Sequence, residues 1–229
     1  MRYHRSPSHI DMSRYLRQTI AMMNKQINIQ AVVFDFFGVL IGGENNQHDR
    51  WRYVGRQLGM ESKALMDFLA QGESYRQVQA GRMSEQAWWA ERMGVLKVDL
   101  SLQQSLFDQL FNRWSANPYC VDLIEQLRAK GVRLALLSNA TGPSARLKKE
   151  YPFLAYFDAI MLSGEMGVAK PSKAAFRAVE RALDLPPHAL LFVDDTLGNV
   201  LAARRVGWQS HHFKHVESLR LELEAWLLL

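Results

Sequence analysis

Two kinds of apolar patterning alternate along the chain. The stretches around Ala31–Phe34, Val132–Leu137, Tyr156–Leu162 and Leu190–Val193 are apolar almost without a break. Runs of this length and composition predict short strands buried on both faces; the first extends from about Gln30 to Phe36. Elsewhere apolar residues recur at three- and four-residue spacing, which predicts helices. These cover Val121–Lys130, closed by Gly131, then Ser144–Glu150, Lys173–Leu183 and Asn199–Val206. A short strand at Gln209–Phe213 and a closing helix from about Glu217 complete the pattern. Strands alternating with helices predict an α/β fold with a doubly wound parallel sheet, a Rossmann-like core.

The alternation is interrupted after the first strand. From Gly42 to Pro118 no strand pattern occurs, and helices are predicted at Asp49–Leu58, Ser62–Ala70, after an N-capping Ser84, and at Ser101–Trp114. The chain therefore divides into an N-terminal extension at 1–28, an α/β core at 29–41 and 119–229, and an inserted helical bundle at 42–118. Trp51, Trp88, Trp89 and Trp114 all lie in the insert. They are expected to form its core, with at most one or two facing a crevice.

Charge and cysteine content narrow the setting. The formal net charge is +5, but the first 28 residues carry Arg2, Arg5, Arg14, Arg17 and Lys25 against Asp11. Four of the five charges thus belong to the extension, and the near-neutral remainder does not predict a nucleic-acid surface. No apolar run is long enough to span a bilayer, and the Leu227–Leu229 run is expected to cap the last helix. Cys120 is the sole cysteine, which excludes an internal disulfide and fits a reducing, cytoplasmic setting. Its place at the start of a core helix predicts a buried structural thiol. His211, His212 and His215 lack an accompanying acid or cysteine cluster and are read as strand-end residues rather than metal ligands.

The candidate chemistry lies where the strands end. The first is followed by Asp35, the second by Ser138-Asn139, and the fourth by Asp194-Asp195. Lys170 stands before Pro171 in the loop between the last two. In open α/β sheets ligands bind at the carboxyl ends of the strands. A carboxylate at such a buried end needs a paired charge or a metal. This ordered set resembles the haloacid dehalogenase superfamily of hydrolases from about Ile29 to Phe213. The stretch Tyr75–Ser84 also resembles, loosely, the cap of that family's sugar-phosphate phosphatases.

The resemblance implies a cap made by the helical insert and a Mg²⁺-dependent phosphatase acting through an aspartyl-phosphate. Asp35 would be the nucleophile, a carboxylate role known from covalent catalysis. Mg²⁺ would be held by Asp35, Asp194 and the backbone carbonyl of Phe37, with Asp195 in support. Ser138, Asn139 and Lys170 would bind the phosphoryl group. The expected partner is a small phosphorylated substrate, with no nucleic acid or membrane, in a monomer or homodimer. One position departs from the family pattern. Phe37 stands where phosphatases of the family carry a second Asp that protonates the leaving group, and a phenyl ring moves no proton. Three explanations remain open: a leaving group that needs no acid, a 2-haloacid dehalogenase, or a site that binds without turnover.

Overall fold

The computed structural model describes residues 28–42, 44–111, 114–140, 144–226 and 228–229, with side chains in the first helix from Asp49 onward. The basic extension, apart from Asn28, lies outside the described residues. Five strands form one sheet: β1 (Ala31–Phe34), β2 (Arg133–Ser138), β3 (Ala159–Leu162), β4 (Leu190–Asp194) and β5 (Gln209–His212). Their order is β3-β2-β1-β4-β5, and every pairing is parallel. This is the α/β architecture that the alternating pattern predicts. β1 is central, and Phe34 pairs with Leu136 on one side and Val193 on the other. That register brings Asp35, Ser138 and Asp194 to one edge of the sheet. The chain crosses to opposite sides of β1 to make β2 and β4, so this edge is also the switch point where open sheets bind ligands.

Two apolar clusters sandwich the sheet. Val32, Phe34, Leu134, Leu136 and Val193 face α6 (Pro118–Ala129) and α11 (Val216–Ala225) through Leu123, Ile124, Leu219 and Leu223. Val33, Ala135, Leu137 and Phe192 face α9 (Lys173–Leu183) and α10 (Leu197–Arg205) through Phe176, Val179, Ala202 and Ala203. Both-sided burial explains the unbroken apolar runs in the strands. Leu228 is buried in the first cluster, as a capping residue of the last helix should be. Cys120 is fully buried there too, and burial raises its thiol pKa to about 12, so it stays protonated and inert.

After the turn that follows β1, the regular elements of the described insert are all helices. It comprises α1 (Glu44–Gln57), α2 (Ser62–Leu69), α3 (Gly72–Gln79), α4 (Glu85–Val95) and α5 (Leu100–Phe111). Ser84 caps α4, its Oγ accepting from the Ala87 N–H at 3.1 Å. These helices close around their own core of Val54, Leu65, Leu69, Trp88, Met93 and Leu110. The insert leaves and rejoins the sheet through paired segments. The Gly42 N–H donates to the Ser115 carbonyl, the Asn117 N–H donates to the Leu40 carbonyl, and Ile41 bridges Ala116. At its far end Gly81, at φ +69°, lies so close to Gly164 that an added Cβ would come within 2.4 Å of the Gly164 carbonyl oxygen.

Some elements differ from the sequence expectation. α3 overlaps the start of the Tyr75–Ser84 stretch, where the apolar pattern predicts no helix. α7 (Ser144–Glu150) stands as expected, but a 3-10 turn at Pro152–Tyr156 precedes β3, which starts at Ala159 rather than Tyr156. The turn ends in a Phe157 that packs edge-on against Phe34 with ring centroids 6.2 Å apart, so an apolar residue next to a strand is used in the core without being in the sheet. α8 (Ser163–Met166) has only four residues and leaves no readable period.

Candidate active site

Lys170 holds the carboxyl ends of β1 and β4 together. Its Nζ lies 2.7 Å from Asp35 Oδ1 and 2.7 Å from Asp194 Oδ2, and all three side chains are buried. The loop that carries Lys170 is fixed from β2. The Asn139 side chain accepts from the Lys170 N–H at 2.8 Å and donates to the Lys170 carbonyl at 2.9 Å. This two-way clamp spans 31 positions of sequence. The family resemblance implies for Asn139 a contact to the phosphoryl group; its side chain also places the lysine.

The two acids after β4 have different surroundings. Both oxygens of Asp194 are engaged: Oδ2 by Lys170, Oδ1 by the Thr196 N–H at 2.8 Å, and both by Asn199 Nδ2 at 3.1 Å. Asp195 is exposed at the cleft, and its own side-chain bond is from Thr196 Oγ1 at 3.2 Å. Its carbonyl oxygen is 2.9 Å from His212 Nε2. Thr196 and Asn199 were not singled out in the sequence. Their signal is spacing alone: Asn199 sits within the first turn of the helix that opens just after Asp194.

Three carboxylates share this space. Oxygens of Asp35, Asp194 and Asp195 all lie within 4.8 Å of one another. Among the described residues this is the one acidic or histidine-containing group close enough to hold a metal ion. Burial raises the Asp35 pKa from 3.8 to about 7; Lys170 opposes the rise and the Asp194 charge adds to it. Asp195 is raised as well, through desolvation and then the charge of Asp194. For Lys170, burial works against the charge, but Asp35 and Asp194 outweigh it and hold its pKa above the usual range. One ammonium facing three carboxylates leaves an excess of negative charge that a divalent cation would neutralise.

Ser138 completes the group. Its Oγ is buried and has no hydrogen-bond partner, an uncommon condition that marks a place for a ligand oxygen. The Phe36 N–H donates to Asp35 Oδ1 at 2.7 Å, so Oδ1 is held and Oδ2 is the freer oxygen. Phe37 points along the cleft and is 39% exposed, with its ring edge-on to Phe36 and Trp114. Gly38 follows at φ +83°, and a Cβ there would come within 2.1 Å of Asp195 Oδ2. Gly38→Ala is therefore expected to displace Asp195 and to lower kcat/KM roughly 10²-fold, the scale of a misplaced reacting group. Steady-state kinetics with circular dichroism as a folding control checks it.

The expected histidines lie beside the site. His211 is 3.5 Å from Glu222, and His215 caps α11 by accepting from the Ser218 N–H. None of the three joins the acidic group.

A cavity of about 600 Å³ opens over these residues. Its floor is Asp35, Ser138, Asn139, Lys170 and Asp195, and its roof is Trp51, Met66, Tyr75, Gln79 and Trp88 of the insert. Trp88 and Trp89 are buried in the bundle as expected, yet Trp51 and Trp88 also wall this cavity and Trp114 a neighbouring one. Two tryptophans thus face the crevice, the upper end of the expectation, because one indole can pack a core with one face and line a cleft with the other.

Comparison with known proteins places the chain in a family. The family model "haloacid dehalogenase-like hydrolase" matches residues 29–207. The chain belongs to this family. It is 23% identical over 196 residues to the sesquiterpene phosphatase astK of Aspergillus oryzae, covering 85% of this chain and 94% of that protein. With haloacid dehalogenase-like hydrolase domain-containing protein 3 of Xenopus laevis it shares 28% over 142 residues, 56% of this chain and 58% of that one. The chain thus matches little more than half the length of this second relative. A family enzyme from Bacteroides thetaiotaomicron, solved with magnesium and inorganic phosphate, has the same fold: TM-score 0.64, 21% identity, 82% of this chain and 95% of that one. The chain is a hydrolase of this family with phosphatase relatives. No described helix is long and apolar enough to cross a membrane.

Proposed function

We propose that the protein is a Mg²⁺-dependent phosphatase that passes a phosphoryl group through Asp35 and acts on small metabolites in the cytoplasm. The observation that carries this reading is the cluster of three carboxylates around a single lysine. An all-oxygen, carboxylate-rich set suits Mg²⁺ or a similar hard cation. When bound, the ion would neutralise charge on the transferred group. The hydrogen bonds favour a division of labour other than the one expected from the sequence. Asp194 is saturated by Lys170, Thr196 and Asn199, so it is proposed to hold the lysine. Asp35, the Phe37 carbonyl and the more open Asp195 would carry the ion.

In the proposed reaction, the freer Asp35 oxygen attacks phosphorus in line with the leaving oxygen. A P–O bond forms to Asp35 as the P–O bond to the leaving group breaks, and the leaving oxygen takes the electron pair. Lys170 and the Ser138 hydroxyl would meet the phosphoryl oxygens. Water then cleaves the aspartyl-phosphate, releasing phosphate and regenerating the carboxylate. With Phe37 in place of a proton carrier, the favoured substrates are those whose leaving group needs no protonation, such as aryl, acyl or anomeric phosphates. The helical insert, with boundaries near 42 and 118, is proposed as a cap.

Activity on acetyl phosphate and phenyl phosphate, with and without Mg²⁺, tests the reading. A 2-haloacid belongs in the panel, since an aromatic at Phe37 also suits halide departure. Metal-independent dehalogenation without phosphatase activity would replace this proposal.

The pH dependence of metal binding follows from Asp35. In the metal-free protein its carboxyl keeps a proton up to about pH 7. A metal needs the carboxylate, so protons compete with it below that pH. Mg²⁺ affinity should fall as pH drops from 8 to 6, with proton release on binding. Calorimetry in two buffers of different ionisation enthalpy measures both. Asp195→Asn should weaken Mg²⁺ binding more than Asp194→Asn; equal or reversed effects would make Asp194 the ligand beside Asp35 and the Phe37 carbonyl.

A further inference from the structure

A second space adjoins the cleft. This chamber of about 270 Å³ shares Phe37, Trp51, Tyr75, Trp88 and Phe111 with the main cavity and extends towards Trp114 and Phe107. The two spaces have different chemistry. The cleft ends on the polar group around Asp35, whereas the chamber is walled mainly by aromatic rings, with Gln79, Glu85 and Asn139 as its polar lining. Among the described residues that line either space, Lys170 is the only basic side chain. The Arg50 guanidinium stacks on the Trp114 ring, 5.0 Å from its centroid, but does not line the chamber, so a leaving group bearing a carboxylate or a second phosphate would meet no other cation within either space. The indole N–H groups of Trp88 and Trp114 are buried and have no acceptor. Unpartnered buried donors are rare and point to a missing ligand atom or water.

We infer that this chamber receives the leaving group, and that the natural substrate is a phosphate of an uncharged, apolar, ring-bearing body rather than of a sugar, a carboxylic acid or a nucleotide. The inference rests on the phosphatase reading for the direction of binding: phosphoryl group at Ser138 and Lys170, organic body past Phe37. It gives Phe37 a positive use. The position that would hold an acid is instead the threshold between the polar floor and the apolar chamber. A carboxylate there would have to be desolvated beside the rings whenever the chamber was filled. Small-molecule sites of this kind are commonly apolar with a few fixed polar groups, and the size and shape of the apolar part set selectivity.

The test compares 2-naphthyl phosphate with phenyl phosphate, whose phenols have similar acidity, so the chemical step is matched and the apolar body differs. Phosphoglycolate serves as the compact, charged comparison. Wild type is expected to prefer naphthyl over phenyl phosphate by roughly tenfold or more in kcat/KM, the scale for added apolar contact in a pocket. Phosphoglycolate should be the poorest. Phe107→Ala, which alters the chamber but not the cleft, should reduce the naphthyl-to-phenyl ratio; the ratio does not depend on the fraction of folded protein. Calorimetric binding of 2-naphthyl phosphonate and phenyl phosphonate gives a readout without turnover. Tighter naphthyl phosphonate binding with no turnover of any phosphate would uphold the chamber and overturn the phosphatase reading. Mg²⁺-dependent turnover with no naphthyl preference, or with phosphoglycolate preferred, would overturn the chamber inference and leave the phosphatase reading standing. Neither turnover nor discrimination in binding would overturn both.

Discussion

Asp35→Asn is expected to abolish turnover and, in the metal-free protein, to raise stability above pH 7. Amide nitrogen and amide oxygen are poor nucleophiles, so no aspartyl-phosphate forms. The loss should be roughly 10⁴-fold or more, towards that seen when other covalent nucleophiles are removed. The stability effect has its own sign. Folding raises the Asp35 pKa from 3.8 to about 7, so the folded state disfavours the ionised form. That penalty is fully present above the folded value and vanishes below the unfolded one. An uncharged Asn escapes it, while its Oδ1 can still accept from the Phe36 N–H and from Lys170. The gain is on the order of 2 kcal/mol at pH 8, several degrees in Tm for a chain of this size, and close to nothing at pH 4. Mg²⁺ should stabilise wild type and leave the variant unmoved. Thermal melts at pH 4 and 8, with and without Mg²⁺, supply all four comparisons. A variant destabilised at pH 8 would mean that the Lys170 pair outweighs the desolvation of Asp35.

Such a trade, in which a site group costs stability and supplies chemistry, is common at functional sites. It also explains which parts of the site were readable from the sequence. Asp35, Ser138 and Asp194 each follow an apolar run that becomes a buried strand. Local pattern identifies the strand, and the strand places the residue. Lys170 has no such local mark, and its position emerged from motif order. The Asn139 clamp on the Lys170 backbone was not readable, because two loops 31 positions apart in sequence meet only when β3, which precedes the Lys170 loop, pairs with β2. The division between Asp194 and Asp195 was hidden for a similar reason. Adjacent residues at a strand end point in different directions, and only the packed neighbours Thr196 and Asn199 show which carboxylate is saturated.

The helical insert shows the same limit. Its longer helices followed from apolar spacing, but α3 has eight residues and a glycine at its start, too short to establish a period. That helix brings Tyr75 and Gln79 to the roof of the cleft. A cavity between helices is a property of how they pack, and helical periodicity carries no information on the gap left between neighbours. The aromatic chamber was therefore invisible in the sequence, although every ring that forms it was in plain view.

Replacing Phe37 by Asp should move activity in opposite directions on two classes of phosphate. A carboxyl at this position would sit two residues from Asp35, at the mouth of the cleft, where the family's phosphatases carry their proton donor. Activity on a simple alkyl phosphate, whose alkoxide leaves poorly without a proton, should rise by roughly tenfold or more. That is a fraction of the usual acid–base contribution of 10²–10⁴-fold. Phenyl phosphate should gain little, since its leaving group departs without full protonation. Naphthyl phosphate should lose, because the substitution replaces a ring at the chamber threshold with a hydrated charge. The gain will be incomplete for a structural reason. Phe37 packs edge-on against Phe36 and Trp114, so removing its ring loosens the turn that follows the nucleophile. A fourth carboxylate also joins an acidic cluster, which should make the variant more dependent on Mg²⁺ than wild type. The decisive measurement is kcat/KM on alkyl, phenyl and naphthyl phosphates across a Mg²⁺ series, for wild type and variant. Parallel loss on all three would show that Phe37 serves only to hold the turn. A rise confined to the alkyl ester would identify the missing proton as the property that sets this protein's choice of leaving group.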